Sequence, residues 1–185
     1  MQQKIEFNVN YQKCIEVVLY LIENTKNADI YHILKRVFSA DKYHLNKYAR
    51  PVTGDSYFAL KNGTVPSAIY DILKGEILCL QYINDSQYPF KKIDNTYYFE
   101  ANRSYNAELL SESDIEALSY GINEYTDDMD FRKIEDKNHN EECWKKAWNE
   151  RRDALAKSSP IYFEDMIDDQ EIIEDLQQNC KFLVV

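Results

Sequence analysis

The sequence predicts an α+β fold: a single, predominantly α-helical domain with a small antiparallel β-sheet or hairpin. Three observations predict it. Apolar residues recur at helical spacing in several segments. Short strand-like runs appear only around 56–61 and 89–101. The order is helices, short strands, then helices, with no internal repeat, in 185 residues, a length that suits one domain with a core of its own.

Taken in order, residues 9–24 read as a helix, because Ile15, Val18, Leu19 and Ile22 share one face. Residues 29–47 read as a second helix through Ile30, Ile33, Leu34, Val37 and Phe38. Within it, Ser39-Ala40-Asp41 predicts a kink or a new helical start, since Ser and Asp favour caps. The stretch from Tyr48 to Gly75 then holds three of the four glycines and two of the four prolines. Arg50-Pro51 favours extended backbone, Ser56–Lys61 reads as a short strand, and Pro66 suits the first turn of a helix over 66–74. Gly75 fits the position just past that helix.

Residues 89–101 predict a hairpin, Phe90–Ile93 and Thr96–Ala101 around a two-residue Asp94-Asn95 turn. Ser111-x-x-Asp114 and Ser113-x-x-Glu116 are overlapping capping-box patterns before a helix carrying Ile115, Leu118, Ile122 and Tyr125 inward. A further helix is expected over 140–156 with Trp144, Ala147, Trp148 and Leu155 on one side. Glu164–Asp175 contains seven acids in twelve residues, interleaved with Met166, Ile167, Ile172 and Ile173. It predicts a short amphipathic helix, so that the acidic segment 157–185 packs on the edge of a domain spanning 1–185.

Charge is distributed unevenly. Residues 1–100 carry 12 basic and 11 acidic side chains, whereas residues 101–185 carry 10 and 21, a net −11. That acid would repel a phosphate backbone, so no nucleic-acid partner is expected. It permits a basic protein partner and equally serves as a solubilising surface. No run approaches the ~20 apolar residues of a membrane span. Cys14, Cys79, Cys143 and Cys180 are widely spaced with no CxxC pair, and the N-terminus lacks a signal-like pattern. Reduced cysteines in a cytoplasmic protein are the expectation.

Few constellations carry chemistry. Asp41 and His44 are three apart, and His139 and Cys143 four apart; each pair could share a helix face. They complete a zinc set only if distant helices meet, and the spacing matches no zinc signature. Ser56, His44 and Asp41 or Asp55 lack a nucleophile-elbow context. Gly54 and Gly63 form neither a GxGxxG nor a GxxxxGK[ST] loop. No metal, cofactor or catalytic activity is therefore expected. The many tyrosines, 15 in all, suit both a wet core and a contact surface.

The segment "FSADKYHLNKYARPVTGDSYFALKNGTVPSAIYDILKG" resembles the Panacea domain of bacterial and phage antitoxins, the SocA- and GepA-like family. The resemblance runs through Ala40, Asp41, His44, Leu45, Tyr48, Arg50, Pro51, Thr53, Gly54, Asp55, Tyr57, Ala59, Gly63, Val65, Pro66, Ser67, Tyr70, Asp71 and Gly75. "KCIEVVLYLIE", "LSESDIEALSYGINEY" and "NHNEECWKKAW" extend it over most of residues 10–150. Ala49 stands where the family pattern has glycine, and Thr64 where it has proline. The family often adds N-terminal DNA-binding domains, for which this chain is expected to have no room.

The resemblance implies a non-enzymatic antitoxin that neutralises a cognate protein toxin by direct binding. One branch implies an adaptor that delivers the toxin to a protease. Asp41, His44, Tyr48, Arg50, Asp55, Tyr57, Lys61 and Pro66 are the candidate partner-binding residues, on a rigid edge made by the glycines and prolines. Asp41, His44 and Arg50 could equally hydrogen-bond the loop in place. The competing readings are a phage or mobile-element protein that binds a host factor, and a metal-dependent hydrolase using Asp41, His44 and His139.

Overall fold

Helix α2 (Ile30–Tyr48) is the wall between two apolar cores. The computed structural model describes residues 4–76 and 88–179. Val37 and Ala40 of α2 face a core shared with α1 (Tyr11–Asn24), α3 (Ser67–Lys74), α4 (Glu112–Glu124) and the hairpin β3 (Phe90–Lys92)–β4 (Phe99–Ala101). Phe38 and Leu45 face the other core. There they meet Tyr57 and Ala59 of β1 (Tyr57–Leu60), Trp144 and Ala147 of α6 (Glu142–Asn149), and Ile161, Met166 and Ile167.

The fold is mostly helical with small antiparallel sheets, as the sequence predicts. The main sheet has the order β2-β1-β5, with β2 at Gly63–Pro66 and β5 at Ser158–Ile161; Tyr57 pairs with Pro66 on one side and Ile161 on the other. α5 (Phe131–His139) and α7 (Gln170–Asn179) complete the helices among the described residues. No described helix is long and apolar enough to cross a membrane.

Local chemistry starts the helices. The side chains of Asn10, Asp29 and Asp130 accept from backbone N–H groups at the starts of α1, α2 and α5. Ser111 forms the expected capping box with Asp114, in both directions. Gly75 ends α3 at φ 70°, a left-handed turn that glycine adopts without strain. Gly121 has a different role: a Cβ there would strike the Arg36 carbonyl oxygen, so its absence lets α4 lie close against α2.

Several expectations are corrected. α2 runs on as one helix through Ser39-Ala40-Asp41, with no new start there; these residues are buried, and the Asp41 carboxylate is occupied by the following loop. The hairpin loop is six residues, 93–98, because Thr96 turns the chain back on the Ile93 carbonyl before the strands can pair. α6 ends at Asn149, where Arg151 folds over the Trp148 ring at 3.5 Å and donates to the Trp148 carbonyl; Leu155 is exposed. Ser113-x-x-Glu116 makes no cap. Glu164–Asp175 is a 3-10 turn (Phe163–Asp165) followed by α7, which begins only after Asp169 caps Glu171. β2, β5 and α5 have no counterpart in the sequence reading. Cys14 and Cys143 are buried, whereas Cys79 and Cys180 lie outside the described residues.

Candidate functional site

The segment from Ala49 to Pro66 is fixed by two buried aspartates. Asp41 projects from α2 into the loop. Its Oδ1 accepts from the Val52 and Thr53 N–H groups at 2.9 and 3.1 Å, and its Oδ2 from the Thr53 hydroxyl and from the Tyr57 hydroxyl at 2.7 Å. Asp41 is wholly buried, and burial raises its pKa even against these donors. Burial likewise pushes the Tyr57 phenol far up. The loop is held on its outer side too, where the Asn10 N–H donates to the Thr53 carbonyl.

Asp55 supplies what Pro66 cannot. Helix α3 starts after a proline with no capping side chain. The Asp55 carboxylate, twelve residues before Ser67, accepts from the Ala68 and Ile69 N–H groups at 2.8 and 2.9 Å, and the Ser56 carbonyl accepts from Ser67. Burial outweighs these two donors and pushes Asp55 up to about 7.

A second polar cluster joins α1, α2 and α4. His44 is buried, with Nδ1 2.6 Å from the Arg50 carbonyl and Nε2 3.0 Å from the Ser113 hydroxyl. Burial holds its pKa below the ordinary value, so the ring is neutral; the carbonyl can only accept, so Nδ1 carries the proton. Asp114 lies beside it, ion-paired with Lys13 at 2.9 Å, with the Arg50 guanidinium at 3.6 Å. Burial works to raise Asp114, but Lys13 and Ser111 hold it below the usual carboxylate range.

Of the eight candidate partner-binding residues, Asp41, His44, Asp55, Tyr57 and Pro66 are buried, their polar atoms turned inward. Arg50 is half-exposed, and Tyr48 and Lys61 are exposed. Tyr48 donates to Glu116 at 2.5 Å. Tyr43 and Lys47 donate to the same carboxylate, and these partners, Lys47 first, hold Glu116 down to about 2. Lys61 stands in the β1–β2 turn, and its carbonyl accepts from His139.

The two departures from the family pattern differ: Ala49 sits where glycine would be unstrained, whereas Thr64 makes bonds of its own. Ala49 caps α2 in the left-handed region at φ 55°. Thr64 is gripped by Asn138 of α5: its N–H donates to Oδ1 at 2.6 Å and its hydroxyl accepts from Nδ2 at 3.0 Å. The Thr64 carbonyl accepts from the buried Lys35 ammonium. A proline could not make the first of these bonds.

The hydrolase arrangement is not assembled. His139 stacks on Trp144 with centroids 4.0 Å apart and bonds to the Lys61 carbonyl, while Asp41 and His44 are occupied elsewhere. Among the described residues no group of three or more His, Cys, Asp or Glu could hold a metal ion. Sequence reasoning missed Lys35, Ser113 and Asn138 as partners of the loop, and Glu116 as the partner of Tyr48. Only Ser113 and Glu116 carried any signal, a capping pattern that pointed to a different role.

A family model described as Antitoxin SocA-like, Panacea domain matches residues 33–145, from within α2 to within α6. No curated protein and no solved structure matches the chain.

Proposed function

The chain belongs to the SocA-like Panacea family of antitoxins, and on that premise we propose that it neutralises a cognate protein toxin by binding it directly. The observation that carries the reading is the family match, which spans the aspartate-fixed loop and the two aspartates that hold it. The geometry supports the reading in one respect: buried carboxylates fix the backbone of the loop. A protein that acts by contact needs such a rigid surface, because a preordered interface loses less entropy on binding. The exposed candidates Tyr48, Arg50 and Lys61 are the contact residues, with the buried ones holding the loop that positions them. Binding takes place in the cytoplasm, with no nucleic acid or membrane involved.

Co-expression tests this. The protein encoded beside this chain should arrest growth alone, and this chain should restore growth and co-purify with it. An adjacent protein that is harmless, or one whose toxicity persists beside a folded, abundant copy of this chain, would remove the proposal. Rescue that disappears in a protease-deficient host would assign the adaptor mechanism instead.

A further inference from the structure

A cleft of about 730 Å³ opens between α2, the β1–β2 turn, α3, the hairpin and residues 156–157. Among the described residues its lining includes five lysines, Lys35, Lys61, Lys74, Lys92 and Lys157, and no Asp or Glu. In a chain with net charge −10 this is a local reversal of sign. The floor is apolar, made by Ile30, Leu34, Leu60 and Val65, and the walls carry Tyr31, Tyr70, Tyr97 and Trp148.

The lysines differ in how far their charge is already balanced. Lys74 is paired with Glu76 at 2.9 Å. Among the described residues Lys61, Lys92 and Lys157 have no ion pair, and all three are exposed. Lys35 is only 2% exposed, and its ammonium has three donors but one hydrogen-bond acceptor, the Thr64 carbonyl. Burial pushes Lys35 down to about 7, with the Glu135 carboxylate pulling the other way. An ammonium so placed lacks a close anionic partner. Clustering cations around an apolar floor also focuses the field there and draws in negative charge.

We propose that this cleft is the docking site for an acidic segment of the toxin, one that seats an aromatic or large apolar side chain on the floor and carboxylates against the lysine rim. This rests on the antitoxin reading. Charge complementarity sets the occupant's chemistry: a segment that is only acidic would gain nothing from the floor, and one that is only apolar nothing from the rim. Aromatic anchors in a pocket ringed by charge are where interface energy concentrates.

The test uses the triple variant Lys61→Glu, Lys92→Glu and Lys157→Glu, whose exposed sites leave the fold intact. Melting confirms that, and the corresponding triple Gln variant separates lost attraction from added repulsion. The probe is a fluorescent random copolymer of glutamate and tyrosine, with polyglutamate and ATP as comparators. The copolymer should bind the wild type at low salt more tightly than polyglutamate does. Its affinity should fall about tenfold or more in the triple Glu variant and less in the triple Gln variant.

Equal copolymer binding by wild type and triple Glu variant overturns the proposal. So does lysine-dependent binding of ATP without binding of the copolymer, which would make the cleft a small-ligand site. Growth rescue supplies the second arm. Wild-type rescue lost in the folded triple Glu variant supports the cleft. Rescue by both variants overturns the cleft and leaves the antitoxin reading standing. Failure of the wild type to rescue removes the antitoxin reading, and the copolymer result then decides alone whether the cleft accepts acidic chain.

Discussion

The two polar regions that flank α2 treat charge in opposite ways. Around Asp41 and Asp55 every carboxylate oxygen is within reach of a donor from the loop or from α3, and both groups are out of water. Around the cleft, three lysines stand exposed with no ion pair among the described residues. A buried polar group without a partner costs about 1–3 kcal/mol, so burial forces completeness in the first region. Solvent imposes no such requirement on the second. The difference teaches that the motif richest in polar residues spends them on its own backbone, whereas the cleft proposed above as a docking site keeps its cations exposed.

The largest effect should come from Asp41→Ala. It would strand the Val52 and Thr53 N–H groups and the Thr53 and Tyr57 hydroxyls in a dry interior. Several groups at about 1 kcal/mol or more each imply a loss of roughly 3–5 kcal/mol. Urea unfolding would show it as a lower midpoint. A loss under about 1 kcal/mol would mean that water reaches the loop, and the contrast between the two regions would collapse.

Thr64→Pro comes next. The substitution moves the chain toward its family pattern, yet it should destabilise, by about 2–3 kcal/mol, because it removes the N–H and the hydroxyl that Asn138 grips. A double variant with Asn138→Ala should cost less than the sum of the two singles, since the partners would be lost together. Additive losses in denaturant melts would show that Thr64 and Asn138 do not act as a pair.

Asp55 supplies a pH signature of the scaffold. Its folded pKa, about 7, lies above the ~3.9 of an unfolded chain. The folded state therefore holds the proton more tightly, and the stability this contributes is full below about pH 4 and is lost as pH rises through 7. His44 acts in the opposite sense, since its depressed pKa removes stability as pH falls below about 6.5. The difference between wild type and Asp55→Asn isolates the first effect. Asn keeps an acceptor for α3 but cannot titrate, so the variant should gain on the wild type by at least about 1–2 kcal/mol between pH 4 and pH 7.5. A difference that stays flat across that range would place Asp55 in water.

How much of this the sequence foretold follows from the range of each interaction. α1 and α2 were legible because an apolar stripe repeats within one helix, and the Ser111 cap because both halves sit three residues apart. β2 and β5 were not: each is four residues, and Pro160 reads as a break although β5 is an edge strand where proline is tolerated. The candidate residues were found, but their side chains' direction was not. An aspartate such as Asp41 reads the same whether it faces solvent or a loop eleven residues on. Lys35 sits among the apolar positions of α2, yet only the approach of Thr64 shows that it is buried. The cleft was invisible because its lysines come from separate segments that only the fold brings together.

The smallest expected effect is a gain, and it tests whether the scaffold is rigid for steric or for chemical reasons. Ala49 ends α2 at φ 55°, where an L-residue's Cβ crowds the backbone, a strain of roughly 1–2 kcal/mol that glycine avoids. Against this, glycine loses more backbone entropy on folding, by about 0.5–1 kcal/mol, and Ala49 gives up its methyl contact with the second core. Relief of the strain exceeds these two losses, so Ala49→Gly should raise stability, by about 0.5 kcal/mol, visible as a small rise in melting temperature. The Asp41 bonds to Val52 and Thr53 would remain, because they hold the loop from its far side. Hydrogen exchange at those two amides should therefore be no faster than in the wild type. Faster exchange with a higher melting temperature would show that the alanine stiffens the loop at a cost to the fold. A lower melting temperature would show that the methyl's packing outweighs its backbone strain.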